Sequence, residues 1–103
     1  MKRVILSDDA DADIMRAAVW YEGQREDLGI RFLDRVDEAL KVIERNPEAP
    51  QQILPNVRHV QLRKFKPYSL WYTVGDEVLV LACMHAKRQL GPVVYSRLKG
   101  LEP

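Results

Sequence analysis

The chain is poor in the residues on which many small enzymes and stapled domains depend. It has one cysteine, Cys83, among 103 residues. A single thiol excludes an internal disulfide, and such a chain suits a reducing cytoplasm. Its place inside a strand-like run favours a buried packing thiol over a nucleophile. The five glycines are scattered, so no glycine-rich loop is present to cradle a phosphate. His59 and His85 do not stand at metal-ligand spacing with Cys83, and neither a metal nor another cofactor is expected. Asp8, Asp9, Asp11 and Asp13 resemble a fragment of a calcium loop. They lack its turn glycine and terminal glutamate, and at a helix start they read as capping and solvated charge. No Ser-His-Asp set follows from spacing. No apolar run approaches the roughly 18 residues of a membrane span, and the one after Met1-Lys-Arg3 is too short for a signal peptide. Repeats and low-complexity segments are absent as well.

Net charge is also scarce, at +1, but it is unevenly spread. Asp8 to Glu48 holds 12 acidic and 6 basic residues, whereas Val57 to Pro103 holds 8 basic and 3 acidic. This predicts a dipolar molecule with an acidic helical side and a basic sheet and tail, able to steer a polyanion or an acidic protein. The length fits one domain, 1–103.

Periodicity predicts an α+β chain. Lys2–Leu6 reads as a strand. Ser7 is a candidate N-cap for a helix from about Asp8 to Gln24, with Ala10, Ile14, Ala17, Ala18 and Tyr21 on one face. Met15, Val19 and Trp20 widen its apolar surface beyond a single stripe. A second helix runs from near Asp27 to Asn46, where Pro47 stops it. Leu28, Phe32, Val36, Ala39, Leu40 and Ile43 form its apolar stripe, and the short link makes the pair an antiparallel hairpin. Glu48–Asn56 reads as a loop. Three strands follow: Val57–Arg63, Tyr68–Val74 and Glu77–Met84. Gly75-Asp76 suits a two-residue type II′ turn, which would oppose Tyr72 to Leu79 and Trp71 to Val80. Gly91-Pro92 reads as a break, and Val93–Leu98 as a short turn or strand.

In that register both faces of the hairpin are largely apolar, whereas a sheet with one wet face should alternate. Either the chain termini fold over the second face or a partner covers it. Arg58, Arg63, Lys64, Lys66, His85, Lys87, Arg88, Tyr95 and Arg97 form a basic and aromatic set suited to phosphate and base contacts or to acidic protein groups.

Several stretches, in order along nearly the whole chain, resemble the RelE/ParE superfamily of toxins from type II toxin–antitoxin modules. They are Asp13-Ile14, Gly29-Ile-Arg-Phe32 and Ile43-Glu-Arg-Asn-Pro47, then the segment Arg63–Tyr72 (RKFKPYSLWY) and the segment Val78–Arg88 (VLVLACMHAKR). The set favours the ParE branch. The resemblance implies a strand, a two-helix hairpin and a three-strand antiparallel meander. It also implies a cytoplasmic protein complexed with a cognate antitoxin, and a toxin that binds DNA gyrase without chemistry of its own. Arg63, His85, Lys87, Arg88 and Arg97 are the target-facing candidates. Met15, Val19, Trp20, Trp71 and Val80 are the antitoxin-facing ones. RelE-like relatives instead cut messenger RNA on the ribosome, for which Lys64, Lys66, Arg88 and Tyr95 are the candidate catalytic set. Ser69 stands where that branch is expected to carry an arginine. A third reading is a non-toxic module that only complexes with its antitoxin. Lys66 is inserted between Phe65 and Pro67 relative to the ParE pattern, and Val94-Tyr95 stands where a tryptophan is common.

Overall fold

Ser7 ends the first strand and begins the first helix, and its hydroxyl explains the change. Its backbone is extended (φ −69°, ψ 161°), and its Oγ accepts a hydrogen bond from the Ala10 N–H at 3.1 Å. In the computed structural model, which describes residues 2–85 and 90–100, the strand is β1 (Val4–Leu6) and the helix is α1 (Asp8–Gln24). Asp8, Asp9 and Asp11 occupy its first turn, where the helix dipole favours them. The second helix, α2, spans Leu28–Arg45. Asp27 precedes it in the left-handed conformation (φ 68°) and makes no side-chain cap. The cap comes from α1: the Glu22 carboxylate accepts from the N–H groups of Asp27 and Gly29, both at 3.0 Å. A Cβ on Gly29 would stand 2.6 Å from the Ala18 carbonyl oxygen, so the glycine is what lets the two helices approach this closely.

Four further strands complete the sheet: β2 (Gln52–Leu54), β3 (Val57–Leu62), β4 (Phe65–Val74) and β5 (Val78–His85). The spatial order is β1-β5-β4-β3-β2, with β1 parallel to β5 and every other pair antiparallel. The α+β class, the helical hairpin and the meander β3-β4-β5 are as the sequence predicts. β2 is an addition, since the segment 48–56 reads as loop; it is a three-residue edge strand paired with β3. The rest of that segment is fixed by Arg58, which donates to the carbonyls of Pro50 (2.6 Å) and Glu48 (3.2 Å). Tyr72 Oη donates to the Pro47 carbonyl at 2.7 Å.

The hairpin register differs from the expected one. Val74 opposes Val78, leaving three residues in the turn, and no glycine among the described residues has positive φ. The type II′ turn is therefore not formed; the Gly75 N–H instead donates to the Glu77 carbonyl at 2.9 Å. Tyr72 opposes Val80 and Trp71 opposes Ala82, so Leu81 is an extra residue on β5, a bulge. The bulge keeps Leu70, Tyr72, Val78, Val80 and Cys83 on the helical face. A second irregularity lies on β4, where Gln61 opposes Ser69 and Leu62 opposes Phe65. Lys66-Pro67-Tyr68 loops out of the β3–β4 ladder, where the missing N–H of proline costs no ladder bond.

Two cores result. The larger lies between α1, α2 and one sheet face, around Phe32, Ile43, Leu70, Tyr72 and Val80. The smaller lies on the other face, around Val57, Trp71, Leu81, Met84 and Val94. Its cover is a third helix, α3 (Leu90–Lys99), where the sequence reading has a break and a short turn or strand. Pro92 falls in the first helical turn, where its missing N–H costs nothing. Val94 and Leu98, four apart, then point at the sheet. The second apolar face is thus covered by the chain itself.

Candidate functional site

β1 covers the edge of β5 only from Val78 to Val80. Beyond Leu6 the chain turns into α1, so β5 continues from Leu81 without a strand on that side. Its edge groups find side chains instead. The Leu81 carbonyl, on the bulged residue, accepts from Arg97 Nη1 at 3.0 Å and from Ser7 Oγ at 3.4 Å. The Cys83 N–H donates to Asp13 Oδ2 at 3.1 Å. Asp13 and Arg97 also bind each other through two bonds, Nη1 to Oδ2 at 2.6 Å and Nη2 to Oδ1 at 3.2 Å. Arg16 Nη2 adds a third cationic contact to Asp13 Oδ1 at 2.7 Å, and Asp9 stands 3.8 Å from Arg97 Nε. Only 4% of the Asp13 side chain and 17% of the Arg97 side chain is exposed. The bond to Asp13 pushes the Arg97 pKa up, against the opposing effect of burial. A forked, charge-assisted pair of this kind is strong because both carboxylate oxygens are used. Removing one partner of a buried pair costs about 3–5 kcal/mol.

Next to this pair a groove of about 270 Å³ runs between α1 and the end of β5, bordered by Arg16, Trp20, Tyr68, Met84 and His85. Its Tyr68 belongs to an aromatic cluster in which Tyr21 stacks on Phe32 at 5.3 Å and meets Phe65 and Tyr68 edge-on. His85 closes the far end against the Tyr68 ring at 5.2 Å. Cys83 also lines the groove, but burial, reinforced by the Asp13 charge, pushes its thiol up to about 12, so it is no nucleophile at neutral pH. On the outer side of α1 stand Met15, Val19 and Trp20, which are 48%, 69% and 58% exposed.

The predicted site residues distribute as follows. Met15, Val19 and Trp20 are all exposed on α1, Met15 and Val19 one turn apart and Trp20 at the groove. Trp71 and Val80 do not join them, because Trp71 is buried in the smaller core and Val80 in the larger one. Arg97 turns inward onto Asp13. Arg63 pairs with Glu38 at 3.0 Å, which Arg35 also contacts. Lys64, in the β3–β4 turn at φ 69°, and Lys66, in the looped-out segment, border grooves along α2. Tyr95 is exposed on α3, the layer on the other sheet face. Lys87 and Arg88 lie outside the described residues. Among the described residues no group of acidic, histidine and cysteine side chains is arranged to hold a metal, and no helix is long and apolar enough to cross a membrane.

Asp13 is the residue that sequence reasoning missed. Asp8, Asp9 and Asp11 are first-turn residues as expected, but Asp13 is buried. The signal is its phase: it falls three residues after Ala10 and four before Ala17, on the apolar face of α1.

A solved structure described as the chromosomal ParDE TA system from P. aeruginosa is similar in fold, with a TM-score of 0.61 and 18% sequence identity. The likeness covers 82% of this chain and 96% of that one. No curated protein matches the chain. Residues 4–90, from the first residue of β1 to the first of α3, match the family model of the ParE toxin of the type II toxin–antitoxin system, parDE. With that match spanning all five strands and both long helices, the chain belongs to the ParE toxin family of type II toxin–antitoxin systems.

Proposed function

We propose that the chain is a gyrase-directed toxin without catalytic chemistry of its own, held in check by a cognate antitoxin that grips α1. The observation that carries the antitoxin reading is the exposure of Met15, Val19 and Trp20. These are three large apolar side chains on one helix whose opposite face is already packed, and Trp20 also borders the groove. Large apolar side chains left exposed in this number on one helix support a protein-binding site there. The similar solved structure is named for a paired ParDE system, which supports a hetero-complex for this chain as well. The absence of chemistry is supported by the scatter of the nuclease candidates. Lys64 and Lys66 border grooves along α2, while Tyr95 projects from α3 on the other layer. RNA cleavage needs a base and a charge-stabilising group at one phosphate.

Induction of the chain alone in a bacterium carrying a DNA-damage reporter should arrest growth with the reporter on. Purified gyrase should then accumulate cleaved DNA in its presence. Arrest with a silent reporter and cut messages would replace this reading with the nuclease one, and harmless overexpression would leave a non-toxic binding module. For the antitoxin surface, Trp20→Ala with Val19→Ser should weaken antitoxin binding by roughly thirtyfold or more, the scale of an aromatic hot spot. Unchanged affinity by calorimetry would remove α1 from the interface.

A further inference from the structure

We propose that Asp13 is the positioning residue of the C-terminal helix. Through Arg97 it clasps α3 against the bulge of β5, and the toxin's action depends on that clasp rather than on contact between Arg97 and the target. The toxicity part of this inference rests on the function proposed above; the clasp itself does not.

Three observations carry it. First, the polar groups of the β5 edge at Leu81 and Cys83 are satisfied by this one pair, the carbonyl by Arg97 and the N–H by Asp13. The clasp thus takes the place of a strand where β1 ends. Second, the pair is forked, nearly dry and joins residues 84 positions apart, so it ties the first helix directly to the last. Third, α3 has few other anchors among the described side chains. It buries Val94 fully and packs Val93 and Leu98 partly, over ten residues. Such a short helix is marginal by itself and depends on tertiary contacts. Its outward residues Pro92, Tyr95, Ser96 and Lys99 share one face, and the inward placement of Arg97 sets the direction of that face. All of the helix but its first residue also lies beyond residues 4–90, the part matched by the family.

The experiment compares Asp13→Asn, Arg97→Gln and the double variant of the full chain. Two readouts are taken: amide hydrogen exchange of α3 and growth arrest on induction. Asparagine keeps an oxygen for the Cys83 N–H, so the α1–β5 contact survives. Each single variant should speed exchange at Val94 and Leu98 by roughly a hundredfold while β4 and β5 stay protected. Each should also lose growth arrest, and the double variant should be no worse than either. Unchanged α3 exchange in Asp13→Asn would overturn the clasp. Loss of arrest in Arg97→Gln with α3 protection intact, and normal arrest in Asp13→Asn, would make Arg97 a target contact instead. Should Asp13→Asn fail to fold, Arg97→Gln decides alone, since Asp13 there retains Arg16 and the Cys83 N–H. A wild-type chain that causes no arrest would end the toxin reading, while the exchange data would still judge the clasp.

Discussion

At the residue scale, Gly29 and His59 make the sharpest demands. Gly29 leaves no room for a methyl group against the Ala18 carbonyl, because that oxygen is backbone and cannot rotate away. Gly29→Ala should destabilise the fold by about 1–3 kcal/mol, the scale of overpacking. Thermal unfolding should show a lower midpoint by about 4–8 °C for each kcal/mol. His59 lies against Trp71 with ring centroids 4.8 Å apart, and its Nδ1 has no hydrogen-bond partner among the described residues. Burial pushes its pKa below the ordinary 6.5. The unfolded chain therefore takes up a proton near that pH before the folded one does. Its contribution to stability is intact above about 6.5 and is lost as pH falls toward the folded value. Urea midpoints should drop between pH 7 and 5, and His59→Gln should flatten that part of the curve. The sequence shows both residues but neither constraint. The close approach at Gly29 depends on α1, and His59 lies against Trp71, its partner across the β3–β4 ladder.

At the element scale, the long helices were legible because their apolar periodicity is sustained over four or more turns and their ends carry chemical signals. Ser7 supplies one such signal and Pro47 another. The short elements were not. A ten-residue helix opening with Leu-Gly-Pro offers punctuation that reads equally as a break. The hairpin register could not be deduced either, because a three-residue turn shifts every pair by one and a bulge at Leu81 shifts the later pairs by one more. What selects the bulge is remote: the Leu81 carbonyl turns out of the ladder to Arg97 and Ser7. The dependence of the smaller core on α3 can be measured. In a Trp20→Phe background Trp71 is the sole tryptophan, and it is 4% exposed. Val94→Asp places a charge where the side chain is fully buried, at a cost of about 3 kcal/mol or more. Trp71 emission should then move to longer wavelength and become quenchable by iodide. An unchanged spectrum would mean that α3 is not what keeps this face dry.

At the scale of the whole molecule, the doubly apolar sheet was the most informative feature of the sequence, and it offered two explanations. The terminal helix accounts for the second face. The partner surface proposed above lies elsewhere, on α1, where three of the five expected antitoxin-facing residues are exposed. The free chain should therefore self-associate through these exposed side chains of α1. Sedimentation should show assemblies that dissociate with Val19→Ser and Trp20→Gln, and a monodisperse wild type at high concentration would count against a sticky α1. The tie between Asp13 and Arg97 also has a consequence in time. Translation at about 5–20 residues per second makes Asp13 roughly 4–17 s before Arg97. Throughout that interval the nascent carboxylate lacks its principal cation and the smaller core lacks its roof. An antitoxin already in the cell thus meets a growing chain whose α1 is presentable before its last helix exists. With α1 as the antitoxin surface proposed above, binding can begin before the last helix is made, and the toxin can be held before it is complete. Ribosome-stalled chains ending before α3 test this directly: they should capture antitoxin as tightly as the finished protein.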